Sequence, residues 1–332
     1  MSDKSSLVRN IFFVIGLIVI SVMVYSIGFD AICQNLKETG WWFVAIIGVW
    51  VFVYLINAVS FHIIISDGSE ESKLVCFWRT IKVVISGYAI NYTTPMGLLG
   101  GEPYRILELK PALGAKKATS AVLLYAMMHF VSHLFLWLAA VPLLVITVPS
   151  VSKVVGIILW IVFGCSLLLI FWSLKIYKTG LIRRALAIGK RIPFLKKKMK
   201  LLAVEKKDQI EELDGLISHL YNNRRKAFFC SLFMEILSRL VGCMEVFFML
   251  YSVGYEVNFI QCIIIVAFAS LFANLLFFSP MQLGTREGGY ALALKILAIP
   301  SGLGIYISLC TRIRELFWIV VGIVIMKYKS LK

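Results

Sequence analysis

The chain has 332 residues, 60% of them apolar and only 16% charged, with a mean hydropathy of +0.88. A soluble domain carries roughly 25% charged residues, so this composition excludes one and describes an all-α polytopic membrane protein. The formal net charge of +16 sits in loops and termini with no basic-aromatic module beside it; it sets topology and meets anionic headgroups, and no nucleic-acid partner is expected.

In chain order, the apolar run at 7–27 reads as a retained first span. It outlasts a signal-peptide core and no small-x-small site closes it; Lys4 and Arg9 hold the N-terminus in the cytoplasm. Span two covers 41–65. A shorter third run, 77–92, leads into PMGLLGGE at 95–102 and a brief amphipathic piece at 98–109. Span four is 118–148 and span five 153–174. The stretch 175–226 has fifteen Lys or Arg against five Asp or Glu, ten of the sixteen net charges. Span six covers 227–253 and span seven 258–278. PMQLGTRE at 280–287, a second short piece at 287–299 and span eight at 305–326 follow, then the basic tail KYKSLK. That makes about eight transmembrane helices, each near the roughly 20 apolar residues a crossing requires, plus two short broken or re-entrant helices. Segments of about ten residues alternating in polarity, the mark of a membrane barrel, are not seen. Seven Cys are scattered without pairing, so no disulfide framework is expected.

The positive-inside rule makes 175–226 a cytoplasmic loop, with 66–76 also inside and 28–40, 149–152 and 254–257 outside. If the third run crossed fully, Lys110, Lys116 and Lys117 would face outward. They face inward if 77–109 enters from the cytoplasm and returns to it. By the same count 258–326 passes from outside to inside in three pieces, which leaves the C-terminus cytoplasmic. The whole chain, 1–332, then reads as one integral membrane domain whose parts 77–148 and 258–326 form an inverted-topology repeat. Such repeats place substrate sites at discontinuous helices near the midplane.

Pro and Gly let the backbone leave helical geometry, and lipid cannot bond the freed groups, so they line a protein or water-filled cavity. Short helices starting after each Pro offer N–H groups and a positive dipole end to an anion; a packed structural kink is the alternative. Glu102 and Arg105 share a face of the first short helix, and Arg286 and Glu287 open the second. Charges at membrane depth are functional by default, unless each pair sits snorkelling at the interface. TRIRELFW in span eight brings Arg312, Arg314 and Glu315, either for phosphate contact or for an external interfacial belt. Glu235 and Arg239, four apart in span six, read as a mutually neutralising pair, and Glu245 as a weaker candidate. His129 and His133 lie one turn apart in span four, for proton relay, headgroup bonding or packing. HFVSH lacks the Glu of HExxH and a third ligand, so no metal is expected; no catalytic, nucleotide or dinucleotide fingerprint is present and no cofactor is expected.

NYTTPMGLLGGEPYR at 91–105 and FSPMQLGTREGGYALAL at 278–294 resemble the paired signatures of the lysylphosphatidylglycerol synthase transmembrane family. The resemblance covers about the whole chain. It implies a flippase-like domain of a bacterial plasma membrane that moves lipids or lipid-linked sugars between leaflets. Carried over residue by residue, it points to Asn91, Pro95, Gly101, Glu102 and Arg105, then to Pro280, Gly284, Glu287 and Gly288. Met281 and Gln282 replace the family's usual Gly-Gly, so the second turn need not share its backbone geometry. The chain has no room for the soluble aminoacyltransferase domain found in synthases, so it is not expected to be an enzyme.

The expected function is therefore translocation of an anionic phospholipid or a polyprenyl-phosphate-linked sugar. Half-helix N-termini, Arg105, Arg286 and Arg312 would hold the phosphate, with Glu102 and Glu287 as their partners. A membrane-embedded lipid-modifying enzyme, or a scaffold partnering a separate lipid or glycan synthase, are the alternatives.

Overall fold

A computed structural model describes residues 28–93, 100–148, 153–191, 205–275 and 284–327, with 21, 22, 25, 199, 201 and 203 besides. Twelve helices have their bounds among the described residues, and no strand is found there. The first six are α1 (Phe29–Thr39), α2 (Trp42–Ile65), α3 (Glu70–Lys73), α4 (Phe77–Thr93), α5 (Gly101–Thr147) and α6 (Lys153–Thr179). Then come α7 (Leu181–Gly189), α8 (Lys207–Asn223), α9 (Arg225–Ser252), α10 (Phe259–Leu275), α11 (Thr285–Ile296) and α12 (Leu303–Lys327).

Among the described residues, four helices are long and apolar enough to cross a membrane: Trp42–Ile65, Gly101–Thr147, Val155–Tyr177 and Arg225–Ser252. The expected count of about eight is met only in part among the described residues, for three reasons. The 7–27 run lies almost wholly outside the described residues. Helices α4 and α10 have 17 described residues each, about 26 Å at 1.5 Å per residue, against a hydrocarbon layer of roughly 30 Å. Helix α12 has 25 residues but carries Arg312, Arg314 and Glu315 in its middle.

The two octets fall largely outside the described residues, Pro95 and Pro280 included. What flanks them is well defined. Asn91, near the end of α4, accepts a hydrogen bond through Oδ1 from the Gly101 N–H at 2.7 Å, satisfying a donor that the start of α5 leaves free. At the other end Arg79 Nη2 donates to the Glu108 carbonyl at 2.6 Å. The arms α4 and early α5 therefore lie side by side, antiparallel. A Cβ on Gly101 would stand 2.2 Å from the Gly87 carbonyl oxygen, so only glycine permits this approach. Helix α5 then breaks at Gly114, whose φ of 75° lies in the left-handed region. That break separates the short amphipathic piece from the fourth span, as the sequence suggests.

Glycines also serve the crossings of α11 and α12. Helix α11 packs on α10 where a Cβ on Gly289 would lie 2.7 Å from Ala269 Cα. Gly322 of α12 meets α4 as closely, since a Cβ there would lie 2.5 Å from Ala89 Cβ, and its carbonyl accepts from Ser86 Oγ at 3.1 Å.

Polar contacts mark the two ends of the bundle. At one, Lys117 pairs with Asp67 at 2.6 Å and Glu71 at 3.5 Å, and Lys116 with Glu212 at 2.5 Å. Arg224 caps the C-terminus of α2, donating to the carbonyls of Ile63, Ile64 and Ser66. Segments 66–76, 116–117 and 205–224 therefore share one face. At the opposite end, Tyr306 Oη bonds Thr39 at 2.8 Å and Ser252 at 2.7 Å, which gathers the α1–α2 turn, the end of α9 and the start of α12.

Four helices, α1, the short α3, α7 and α8, form where the sequence reading has loops. Asp214 explains part of this: its carboxylate accepts from the N–H groups of Ile182 at 2.7 Å and Arg183 at 3.0 Å, capping α7 from α8.

Burial raises the affinity of Asp67 for a proton, but the Lys117 ammonium and the Ser69 hydroxyl and N–H outweigh it, holding the carboxyl below the ordinary range. A depressed carboxylate stabilises the fold above its unfolded value, about 3.9, and that stability is lost as pH falls through the depressed folded value. Asp67→Asn is expected to lower the melting temperature at pH 7 and to flatten its decline below about pH 4. An acid limb as steep as wild type's would disprove the assignment.

Candidate functional site

A cavity of about 260 Å³ lies where α2, α4, α5, α9, α10, α11 and α12 converge. Its walls are apolar and aromatic, and its polar lining is dominated by four arginines, Arg105, Arg239, Arg286 and Arg314, against Glu102, Glu245 and Glu315. Asn91 and Asn274, the residues preceding the two octets, also line it. Water-excluding surroundings strengthen every charge interaction inside.

Helix spacing delivers the first pair. Glu102 and Arg105, three apart on α5, form an ion pair of 2.9 Å with the Arg side chain 2% exposed. The guanidinium passes over the backbone of α4 because Gly87 has no Cβ there; one would meet Arg105 Nε at 2.4 Å. It lies over the rings of Tyr88 and Tyr125, 5.1 and 5.4 Å from their centroids. Its Nε and Nη2 find no hydrogen-bond acceptor among the described residues.

Across the cavity a chain of charges crosses three helices. Arg286 of α11 pairs with Glu315 of α12 at 2.5 Å, and Arg314 approaches Glu315 at 3.9 Å and Glu245 of α9 at 3.3 Å. Trp50 donates from its indole to Glu245, and its ring stacks under the Arg314 guanidinium at 3.8 Å. Glu245 and Arg314 are each held from two other helices.

The third element is His129. Its Nδ1 lies 2.9 Å from Glu235 Oε2, Arg239 Nη2 meets its Nε2, and the Tyr88 hydroxyl is 3.0 Å from Nδ1. Arg239 Nε also donates to Ser132 at 3.1 Å. The Glu235–Arg239 pair expected to neutralise itself thus grips the imidazole from either side instead.

The family model described as the lysylphosphatidylglycerol synthase TM region matches residues 11–323. The chain belongs to this family. No curated protein and no solved structure matches it. Membership ties the protein to the membrane and to a lipid-related function.

In this member of the family, the residues singled out from the sequence fall into two groups. Asn91, Glu102, Arg105, His129, His133 and Arg286 line the cavity, and Gly101 sits at the tight crossing beside it. Glu287 and Arg312 are not among the lining residues; they pair with each other at 2.6 Å, and Ser308 donates to the same Glu287 oxygen at 2.7 Å. Gly284, with φ 79°, begins α11, and Gly288 has open space where its neighbour Gly289 makes the close contact. Pro95 and Pro280 lie outside the described residues.

Arg314, not Arg312, is the arginine of α12 that faces the cavity. Successive helical residues turn by 100°, so two positions apart face nearly opposite ways. Tyr88, which the sequence reading did not single out, lines the cavity together with Arg239, Glu245 and Glu315, which it did.

Proposed function

We propose that this protein is a lipid translocator that holds an anionic headgroup, a phospholipid phosphate or a polyprenyl phosphate, in the central arginine-lined cavity. One observation carries the reading. Arg105 is almost fully buried at the cavity wall, yet two of its donors have no protein acceptor among the described residues. A guanidinium presents its donors as a planar fork that matches phosphate oxygens. Glu102 and the two tyrosine rings fix that fork in place, so little ordering is lost on binding. The acyl or prenyl chains stay in lipid against the apolar outer faces of the bundle. No chemical step is part of this reading.

The antiparallel arms α4–α5 and the packed pair α10–α11 support two re-entrant hairpins in an inverted repeat. With the Lys116, Asp67 and Glu212 face in the cytoplasm, both termini are cytoplasmic and the arms of the first hairpin enter from that side. Lys116→Cys, in a background without the seven native cysteines, is expected to react with an impermeant thiol reagent only from the cytoplasmic side. Labelling from outside would refute this orientation.

The function itself is tested in proteoliposomes carrying a fluorescent phosphatidylglycerol. Losing a charge-assisted bond to the phosphate costs about 1.5–3 kcal/mol, so Arg105→Gln should slow transbilayer exchange roughly ten- to a hundredfold. Wild-type exchange no faster than in empty vesicles would favour a scaffold for a separate lipid or glycan synthase. Chemical conversion of the lipid would favour an enzyme.

A further inference from the structure

We propose that His129 is a proton-binding site coupled to anion binding in the cavity, so that one proton is taken up with each anion bound at Arg239. The inference rests on the anion-binding reading above and adds to it a coupling ion and a place for it.

The contacts of His129 determine its protonation. An arginine side chain only donates, so the Nε2 atom facing Arg239 Nη2 must be the unprotonated, accepting nitrogen. Nδ1 then carries the proton and donates it to Glu235 Oε2 at 2.9 Å. With Arg239 in this position His129 is neutral, since a proton on Nε2 would point at another donor. The groups facing the ring from each element are few. Tyr88 comes from α4, Tyr125, His133 and Arg105 from α5 itself, and Glu235 and Arg239 from α9. Helix α10, which also packs on α5, has no charged residue along Phe259–Leu275.

Arg239 has two calls on it. Its Nη2 holds His129, and its side chain lines the same cavity as Arg105. An anion arriving between these arginines draws Arg239 away from the imidazole. The Nε2 lone pair is then uncovered and takes a proton from water, leaving an imidazolium whose Nδ1–H still points at the buried carboxylate of Glu235. When the anion leaves, Arg239 returns to Nε2 and the proton goes back to water. As the N–H bond forms an O–H bond of hydronium breaks, and the reverse happens on release; no other bond changes. Because the two bindings share one free-energy coupling, protonation must tighten anion binding as much as the anion favours protonation. The Glu235 carboxylate, 0% exposed, supplies the counter-charge that lets the imidazolium exist at this depth.

The test uses the full chain in detergent with dihexanoyl phosphatidylglycerol, a phosphodiester whose charge is constant across the range studied. Wild type is expected to bind it more tightly as pH falls from 8 to 5, by up to about tenfold per pH unit. In weak buffer it should take up protons on addition of this lipid but not of dihexanoyl phosphatidylcholine. His129→Gln, whatever its affinity, should show neither pH dependence nor proton uptake. Binding by wild type without proton uptake, or uptake retained in His129→Gln, would overturn the coupling and leave the anion site standing. No binding by wild type at any pH would remove the anion site and the coupling together. If His129→Gln does not yield folded protein, the wild-type titration alone decides.

Discussion

Replacing Arg314 with methionine is expected to be among the most damaging single changes in this protein. The side chain is 2% exposed and faces Glu245 and Glu315 at 3.3 and 3.9 Å, with the Trp50 ring against its flat face. Methionine keeps much of the volume but removes the charge. Arg286 still neutralises Glu315, whereas Glu245 keeps only the Trp50 indole N–H as a donor from this group. Removing one partner of a buried pair costs about 3–5 kcal/mol, because the other charge is left uncompensated. The melting temperature in detergent should fall accordingly, and Glu245→Gln in the same chain should restore part of it. The rescue is the informative arm, since neighbouring changes are non-additive only when the groups interact. A double variant as unstable as the sum of the singles would mean that the charge of Arg314 is balanced elsewhere.

The second large effect is steric. Gly101→Ala places a methyl 2.2 Å from the Gly87 carbonyl oxygen and 3.1 Å from Asn91 Oδ1. Both neighbours belong to α4, and one is backbone, so no rotamer relieves the clash; the arms must separate. Overpacking of this kind costs about 1–3 kcal/mol and more where the backbone cannot move. Separation would also break the Gly101–Asn91 bond and displace Glu102 and Arg105, so stability and lipid exchange should fall together. Gly288→Ala provides the contrast. Nothing lies within 4 Å of a Cβ there, and alanine in a helix is favoured over glycine by roughly 0.5–1 kcal/mol, so it should be neutral or slightly stabilising. Equal effects at the two positions would show that the close crossing is not what the glycine serves.

Much of the frame was legible because a bilayer writes its demands into composition. Spans at 41–65, 153–174 and 227–253 were readable within a few residues, since only sustained apolar runs can occupy lipid. Charge alone places Lys116 and Lys117 on the side of 66–76 and 175–226, and the structure pairs them with Asp67, Glu71 and Glu212. Helices α7 and α8 were not legible, because an amphipathic helix lying against a bundle has the same charged composition as a loop until its packing face is known.

Sequence by itself determined the class, the family, the apolar helices and which buried charges needed an explanation. Tertiary structure alone decided how those charges are partnered. Four-residue spacing suggests that Glu235 and Arg239 neutralise each other, yet both turn to His129 on α5. Likewise Arg312 and Arg314 are equivalent in TRIRELFW, and only the packing of α12 sends one to Glu287 and the other to the cavity. The reason is physical. Burial compels each charge to find a counter-charge, but its identity depends on which helix faces meet, and local spacing contains no information about the neighbouring helix.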